Sequence, residues 1–199
     1  MNAWIEPFSL DGQHVAVEPL ERKHSDDLTR AAADGDLHRL WYTMVPTPEG
    51  VPEEIERRLS LREAGTMFPF AVIQKSTGHA VGMTTYMNIS ASNRRLEIGS
   101  TWYRKSVQRT PLNTECKLLL LQHAFEELES ICVEFRSHFI NTQSRRAIER
   151  LGAKLDGVLR SNMIMANGTV RDTAVYSIIQ SEWPTVKANL TWRLEQPAS

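Results

Sequence analysis

Thr110-Pro111 and Asn141-Thr142-Gln143-Ser144 are the stretches whose residue types and spacing first suggest chemistry, and that chemistry is anion binding. Thr110 fits an N-cap and Pro111 the first helical position, where its missing N–H would have had no helical partner. A strand-like segment, Leu96–Tyr103, leads into this point through the short polar run Arg104–Thr110. A strand feeding a helix N-terminus leaves unpaired N–H donors at the positive end of a dipole, which suits a phosphate. The second stretch repeats the pattern: a strand at Ile131–Phe139, a polar turn, and a short helix to Leu151 that Gly152 can cap. Read locally, Asn141 is a turn or N-cap residue and Ser144 serves the same helix end.

The elements that must position these turns are legible in order. His14–Leu20 is strand-like after the turn signal Asp11-Gly12. Ser25 is expected to cap a helix reaching Asp34, with Asp26 and Asp27 in its first turn and Gly35 breaking it. Leu37–Val45, carrying Trp41, Tyr42 and Met44 ahead of three prolines, predicts a partly helical lid or groove wall. Pro52 opens a helix that ends near Gly65. Phe70–Ile73 and Ala80–Tyr86 flank Ser76-Thr77-Gly78 as a hairpin. From Pro111, apolar residues recur at helical spacing as far as Leu128. Leu155–Met165 and Val170–Ile179 are joined by Asn167-Gly168, a hairpin signal, and a last helix is expected over Trp183–Leu194.

Composition excludes several functions. With 23 basic and 24 acidic residues the net charge is −1, so the chain as a whole offers no attraction to nucleic acid or anionic lipid. Cys116 and Cys132 both lie in apolar periodic segments, which argues against a disulfide framework and for a reducing compartment. No apolar run approaches bilayer-spanning length and no charged-plus-apolar leader is present, so a soluble, cytoplasmic protein is expected, without membrane or nucleic-acid partners. The histidines form no His-x-x-x-His spacing and the cysteines no Cys-x-x-Cys, so no metal is expected. Gly-x-Ser-x-Gly, P-loop and dinucleotide fingerprints are missing. A length of 199 residues with 41% hydrophobic content suffices for one domain over 1–199.

Arg95–Trp102, Gln108–Lys117, Asn141-x-x-Ser144 with Leu151-Gly152-Ala153, and Arg171–Ile178 together resemble the Gcn5-related N-acetyltransferases (GNAT). The similarity covers nearly the whole chain and is closest to the branch that includes the ribosomal-protein alanine acetyltransferases. It implies an α/β fold of the α+β kind. A mixed, largely antiparallel central sheet would be flanked by helices and splayed between the strands near Glu97 and Val133. It also implies acetyl-CoA as cofactor, a primary amine of a small molecule, amino acid derivative or protein N-terminus as acceptor, direct attack in a ternary complex, and compatibility with a homodimer.

The resemblance carries roles onto individual residues. In the family a Gln/Arg-x-x-Gly-x-Gly/Ala turn wraps the CoA pyrophosphate. Here Gln108 matches, while Pro111 and Asn113 stand at the two small positions, and Pro111 has no N–H to offer. Gln108, Arg109, Thr110, Leu112, Asn113 and Thr114 are thus the expected phosphate turn, with Asn113 and Thr114 adding side-chain donors. Backbone N–H groups near Thr101 and Trp102 would face the oxyanion, and Asn141 the pantetheine arm. Glu97 is the expected general base, its pKa raised by partial burial. The alternative is an ordinary charged position paired with Arg95 or Arg136. Where many relatives carry a proton-donating tyrosine this chain has Ile148, so Ser144 is assigned to the leaving thiolate. Trp41, Tyr42 and Tyr86 would either line the acceptor pocket or belong to the core. Pro111 and Ile148 also support a second reading, a catalytically degenerate fold that binds acyl-CoA or a protein partner.

Overall fold

The computed structural model describes residues 4–196. In chain order the elements are β1 (Leu10–Asp11), β2 (Val15–Pro19), α1 (Ser25–Ala33), α2 (Val51–Glu63), β3 (Met67–Gln74), β4 (His79–Ser90), β5 (Arg95–Tyr103), α3 (Pro111–Gln122), β6 (Cys132–His138), α4 (Thr142–Arg150), β7 (Lys154–Ile164), β8 (Val170–Ile179) and α5 (Trp183–Glu195). The strands form one mixed sheet in the order β1-β2-β3-β4-β5-β6-β8-β7. Every neighbouring pair is antiparallel except β5 and β6, which run parallel. The expected fold class, a largely antiparallel sheet flanked by helices and splayed in the middle, is the one observed.

The sheet buries both faces because its strands carry apolar residues at period two on each side. On one face Phe68, Phe70 and Val72 of β3, Leu96 and Ile98 of β5 and Val133 and Phe135 of β6 pack in the same core as Leu112, Cys116 and Leu120 of α3 and Val186 and Leu190 of α5. On the other face Ala71, Met83 and Trp102 pack with Leu28, Ala31 and Ala32 of α1 and Ile55 and Leu59 of α2. The second layer of helices contacts β3 and β4, leaving the half of that face built from β5, β6 and β8 with polar and charged residues.

The structure corrects the sequence expectations in four places. A two-residue strand, Leu10–Asp11, precedes the first one expected and pairs with β2. Ser25 is not an N-cap, because a 3-10 turn over Arg22–His24 runs directly into α1 and His24 occupies the cap position without a side-chain bond. α3 does not continue regularly to Leu128; it widens into a π turn over His123–Glu127. Tyr86 is a core residue, fully buried and donating to Leu120 O at 2.5 Å, so it does not line an acceptor pocket.

Candidate active site

β5 and β6 pair over only three positions, Arg95↔Cys132, Leu96↔Val133 and Glu97↔Glu134. β6 continues to His138 on the arm of β8, while β5 continues to Tyr103 on the arm of β4. Past Glu97 the two parallel strands therefore separate, and nothing in the sheet takes up the N–H and C=O groups that β5 turns toward the gap.

Glu97 sits at the point of separation, only 5% exposed. Asn88 Nδ2 donates to its Oε2 at 2.7 Å, and Arg136 Nε lies 3.4 Å from the same oxygen. Burial raises its pKa; the Asn88 hydrogen bond and Arg136 pull the other way, and neighbouring Glu134 adds to the rise. Arg95, the other proposed partner, pairs with Glu134 instead. The carboxylate needs the glycine two residues along: a Cβ on Gly99 would lie 2.7 Å from Glu97 Oε1 and 2.8 Å from Met87 Sδ.

Immediately beyond, β5 carries a bulge. Thr85 is opposite Gly99 and Met83 is opposite Trp102, so Ser100 and Thr101 together face one residue of β4, and Ser100 takes φ +47°. An extra residue reverses the alternation, which turns Thr101 toward α3 where an unbroken strand would have placed it on the Glu97 side. Each side of the bulge is held by a buried cation. From α2, Arg58 donates to Thr85 Oγ1 at 2.7 Å and Ser100 O at 3.2 Å while paired with Glu54 at 2.7 Å. From α3, Lys117 Nζ donates to Thr84 Oγ1 at 2.9 Å and Thr101 Oγ1 at 2.8 Å.

The expected phosphate turn closes on itself. Gln108 Nε2 donates to Tyr103 O at 3.1 Å and Thr110 Oγ1 to Val107 O at 2.7 Å, so both side chains shape the loop. Thr110 is the N-cap of α3 and accepts from Leu112 N at 3.4 Å, and Arg109 is exposed at φ +63°. The Leu112 side chain is buried in the core and leaves only its backbone for a ligand. Asn113 and Thr114, in the first turn of α3, make no side-chain hydrogen bond among the described residues, and the Asn113 amide is an early helical donor without a partner in α3. With Pro111 contributing no N–H, Asn113, Thr114 and exposed Arg109 are the groups that fit a pyrophosphate.

Across the gap, Asn141 caps α4, its Oδ1 accepting from Ser144 N at 3.0 Å. The Ser144 hydroxyl makes no hydrogen bond among the described residues, and Ile148 is buried. Trp41 meets His138 edge to face, with ring centroids 5.7 Å apart, and Tyr42 packs on Trp41 in the same way. Because Arg104 at the end of β5 pairs with Asp34, the segment from Asp34 to Trp41 runs from the β5 arm to the β6 arm, forming a wall of the opening.

Sequence reasoning missed Arg58, Lys117 and His138. Lys117 had a signal, a cation with Leu120 and Leu121 one helical turn on; Arg58, with Glu54 and Arg62 one turn to either side, reads as an ordinary charged position. His138, buried with Nε2 unpartnered among the described residues, had none. A surface hollow of about 350 Å3 between Arg22, Ser25 and the start of α2 contains none of these residues.

Comparison with known proteins agrees with this geometry. Residues 14–154 match the model of the acetyltransferase (GNAT) domain. The chain is 33% identical over 183 residues to a Bacillus subtilis (strain 168) protein named "Putative ribosomal N-acetyltransferase YdaF", covering 86% of this chain and 94% of that one. A GCN5-related N-acetyltransferase from Brucella melitensis superposes with a TM-score of 0.87 at 33% identity, over 96% of this chain and 86% of that one. Mycobacterium smegmatis RimJ, solved in complex with CoA-disulfide, shares the fold, with a TM-score of 0.75 at 22% identity over 90% of this chain and 88% of that one.

Proposed function

The chain belongs to the GNAT acetyltransferase family, and from that premise we propose that it transfers the acetyl group of acetyl-CoA to a primary amine by direct attack in a ternary complex. The observation that carries this reading is the end of β5–β6 pairing at Glu97, which puts a buried carboxylate at the mouth of a gap lined by unpaired strand backbone. Among acceptors, the N-terminus of a ribosomal protein is favoured by the name of the Bacillus relative, and RimJ with its CoA-disulfide supports the cofactor.

Bound acetyl-CoA supplies the thioester. The chain's own residues do the rest. An ammonium has no lone pair, so Glu97, at the point where β5 and β6 separate, takes the proton from the incoming amine. Its raised pKa brings the carboxylate nearer the operating pH and makes it a stronger base. Backbone N–H groups around Thr101 and Trp102 stand ready for the oxygen that becomes negative. Arg58 holds the Ser100 carbonyl and so fixes the bulge from which those amides project. Arg109, Asn113 and Thr114 hold the pyrophosphate at the α3 N-terminus. Asn141 is committed through its side chain to capping α4, which orients the backbone bordering the pantetheine arm. Trp41 and Tyr42 wall the acceptor entrance, and a cytoplasmic setting matches the two free cysteines.

The test is calorimetric titration with acetyl-CoA, followed by turnover on a panel of small amines and peptides carrying ribosomal-protein N-termini. Binding with micromolar Kd, about −8 kcal/mol, and turnover on any of them are expected. Binding without turnover on the whole panel would favour a degenerate acyl-CoA-binding module, and no binding at millimolar cofactor would overturn the reading.

A further inference from the structure

Lys117 is the one group around the bulge for which the reaction described above has no use. The residue is 5% exposed on the α3 side of the sheet, and among the described residues its ammonium donates to two threonine hydroxyls and to no carboxylate. Burying a cation without a counter-charge is costly, and an apolar side chain of similar length would fill the same space without that cost. The other titratable groups on this side do not compensate it. Burial pushes Cys116, Tyr86 and Tyr103 up, so they stay neutral; His123 is pushed down to about 4 and is neutral as well. The Glu115 carboxylate is occupied by the amides of Gln13, His14 and Val15.

The three linked groups differ in access. Lys117 and Thr84 are buried, whereas Thr101 is partly exposed on the stretch of β5 that has lost its β6 partner. Thr84 Oγ1 and Thr101 Oγ1 are 2.7 Å apart. The path from the buried ammonium to the gap therefore runs through the Thr101 hydroxyl, turned to this side by the bulge. Ile148, at the position where the resemblance expects a proton donor, has no proton to give.

We propose that Lys117 and Thr101 form the relay that protonates the departing CoA thiolate, with Thr101 in contact with the sulfur and Lys117 acting through it as a positioning and proton-supplying residue. This rests on the acetyltransferase reading above and replaces Ser144 as the donor. When the C–S bond breaks, its electron pair stays on sulfur. The hydroxyl proton of Thr101 passes to that sulfur as a Lys117 N–H proton passes to Thr101 Oγ1. Lys117 is left as a neutral amine and regains its proton from water once products leave. Burial lowers its pKa to about 8, which makes it a ready donor near neutral pH.

The experiment uses the wild type, Lys117→Met, Thr101→Val and Thr101→Ser. The first readout needs no acceptor: ultraviolet absorbance of the bound CoA thiolate is followed against pH. The ammonium should stabilise that thiolate, so ionisation in the wild type is expected about one pH unit or more below that in Lys117→Met. Calorimetry should show Thr101→Val weakening CoA several-fold while leaving desulfo-CoA unchanged. In turnover, Lys117→Met and Thr101→Val should each lower kcat by about 10- to 100-fold, the double variant no further, and Thr101→Ser should retain activity. Coincident thiolate titrations in the wild type and Lys117→Met, or losses that multiply in the double variant, would overturn the relay and leave the acetyltransferase reading intact. A wild type that binds no CoA at millimolar concentration would overturn both. Thr101→Val, a near-isosteric change at a partly exposed site, carries the test should Lys117→Met fail to fold.

Discussion

Glu97 and Lys117, buried on the two sides of β5, carry opposite charges in opposite company. On the side facing the open half of the sheet, Glu97 lies among donors: the Asn88 amide, Arg136, and Arg171 further along β8. On the α3 side, among the described residues, Lys117 donates only to hydroxyls. Burial moves the two groups in mirror image, the acid upward and the base downward, so each is drawn toward neutrality. A carboxylate that is easier to protonate makes a better base, and an ammonium that is easier to deprotonate makes a better acid. The bulge at Ser100 sorts the two, because without its extra residue Thr101 would share a face with Glu97.

Removing the base should give the largest effect. Glu97→Gln keeps the size and the Asn88 contact but cannot take a proton, so kcat should fall by about 10²–10⁴-fold with CoA affinity unchanged. Steady-state kinetics beside calorimetry checks this, and a fall in affinity and melting temperature instead would make Glu97 structural. Arg58→Met comes next. It strips the Ser100 carbonyl and Thr85 hydroxyl of their buried donor, and Glu54 retains only Arg57. A loss of about 3 kcal/mol in denaturant stability is expected, with kcat falling as the bulge loosens. Gly99→Ala, whose methyl would meet the Glu97 carboxylate and Met87 Sδ, should cost about 1–3 kcal/mol. It should also lower kcat, and a crystal structure of the variant would show the carboxylate displaced; an unmoved carboxylate would sever Gly99 from the base.

Much of the scaffold was legible because its signals are local. Ser76-Thr77-Gly78 and Asn167-Gly168 mark hairpins by turn chemistry, and Thr110-Pro111 marks the start of α3 by capping chemistry that the structure reproduces. The alternation in Leu96–Tyr103 gave the strand but not its bulge. The left-handed residue there is Ser100, whereas sequence alone would place such a conformation at the adjacent Gly99, which does not adopt it. Ser25 failed as a cap because His24 and the preceding 3-10 turn depend on Glu18 and Glu21 around them. Trp41 on His138 and Lys117 under Thr101 join segments distant in sequence, and no periodicity encodes such contacts. Lys117 stood out in its apolar surroundings, but the hydroxyls it meets became visible only once the sheet and α3 were brought together.

The mirror relation between the two charges also predicts opposite pH dependences of stability, the smallest of these effects. Lys117 has a folded pKa of about 8 against 10.5 unfolded. Between those values the unfolded chain binds more protons, so this residue adds stability as pH rises through the window and withholds it below pH 8. The shift corresponds to roughly 3 kcal/mol of penalty at neutral pH. Two hydrogen bonds to threonine, each worth about 1 kcal/mol, offset part of it. Lys117→Met should thus be more stable than the wild type by about 1 kcal/mol at pH 7, with the gap closing toward pH 10 as the wild-type amine neutralises. Glu97 has the reverse sign: its folded pKa is raised, so stability falls as pH rises from the ordinary carboxylate value through the folded one, and Glu97→Gln should remove that fall. Urea titrations of the three proteins across pH measure both slopes. A Lys117→Met variant that is less stable at pH 7, with a gap that ignores pH, would show that the ammonium is solvated and that the two sides of β5 are not the counterparts described.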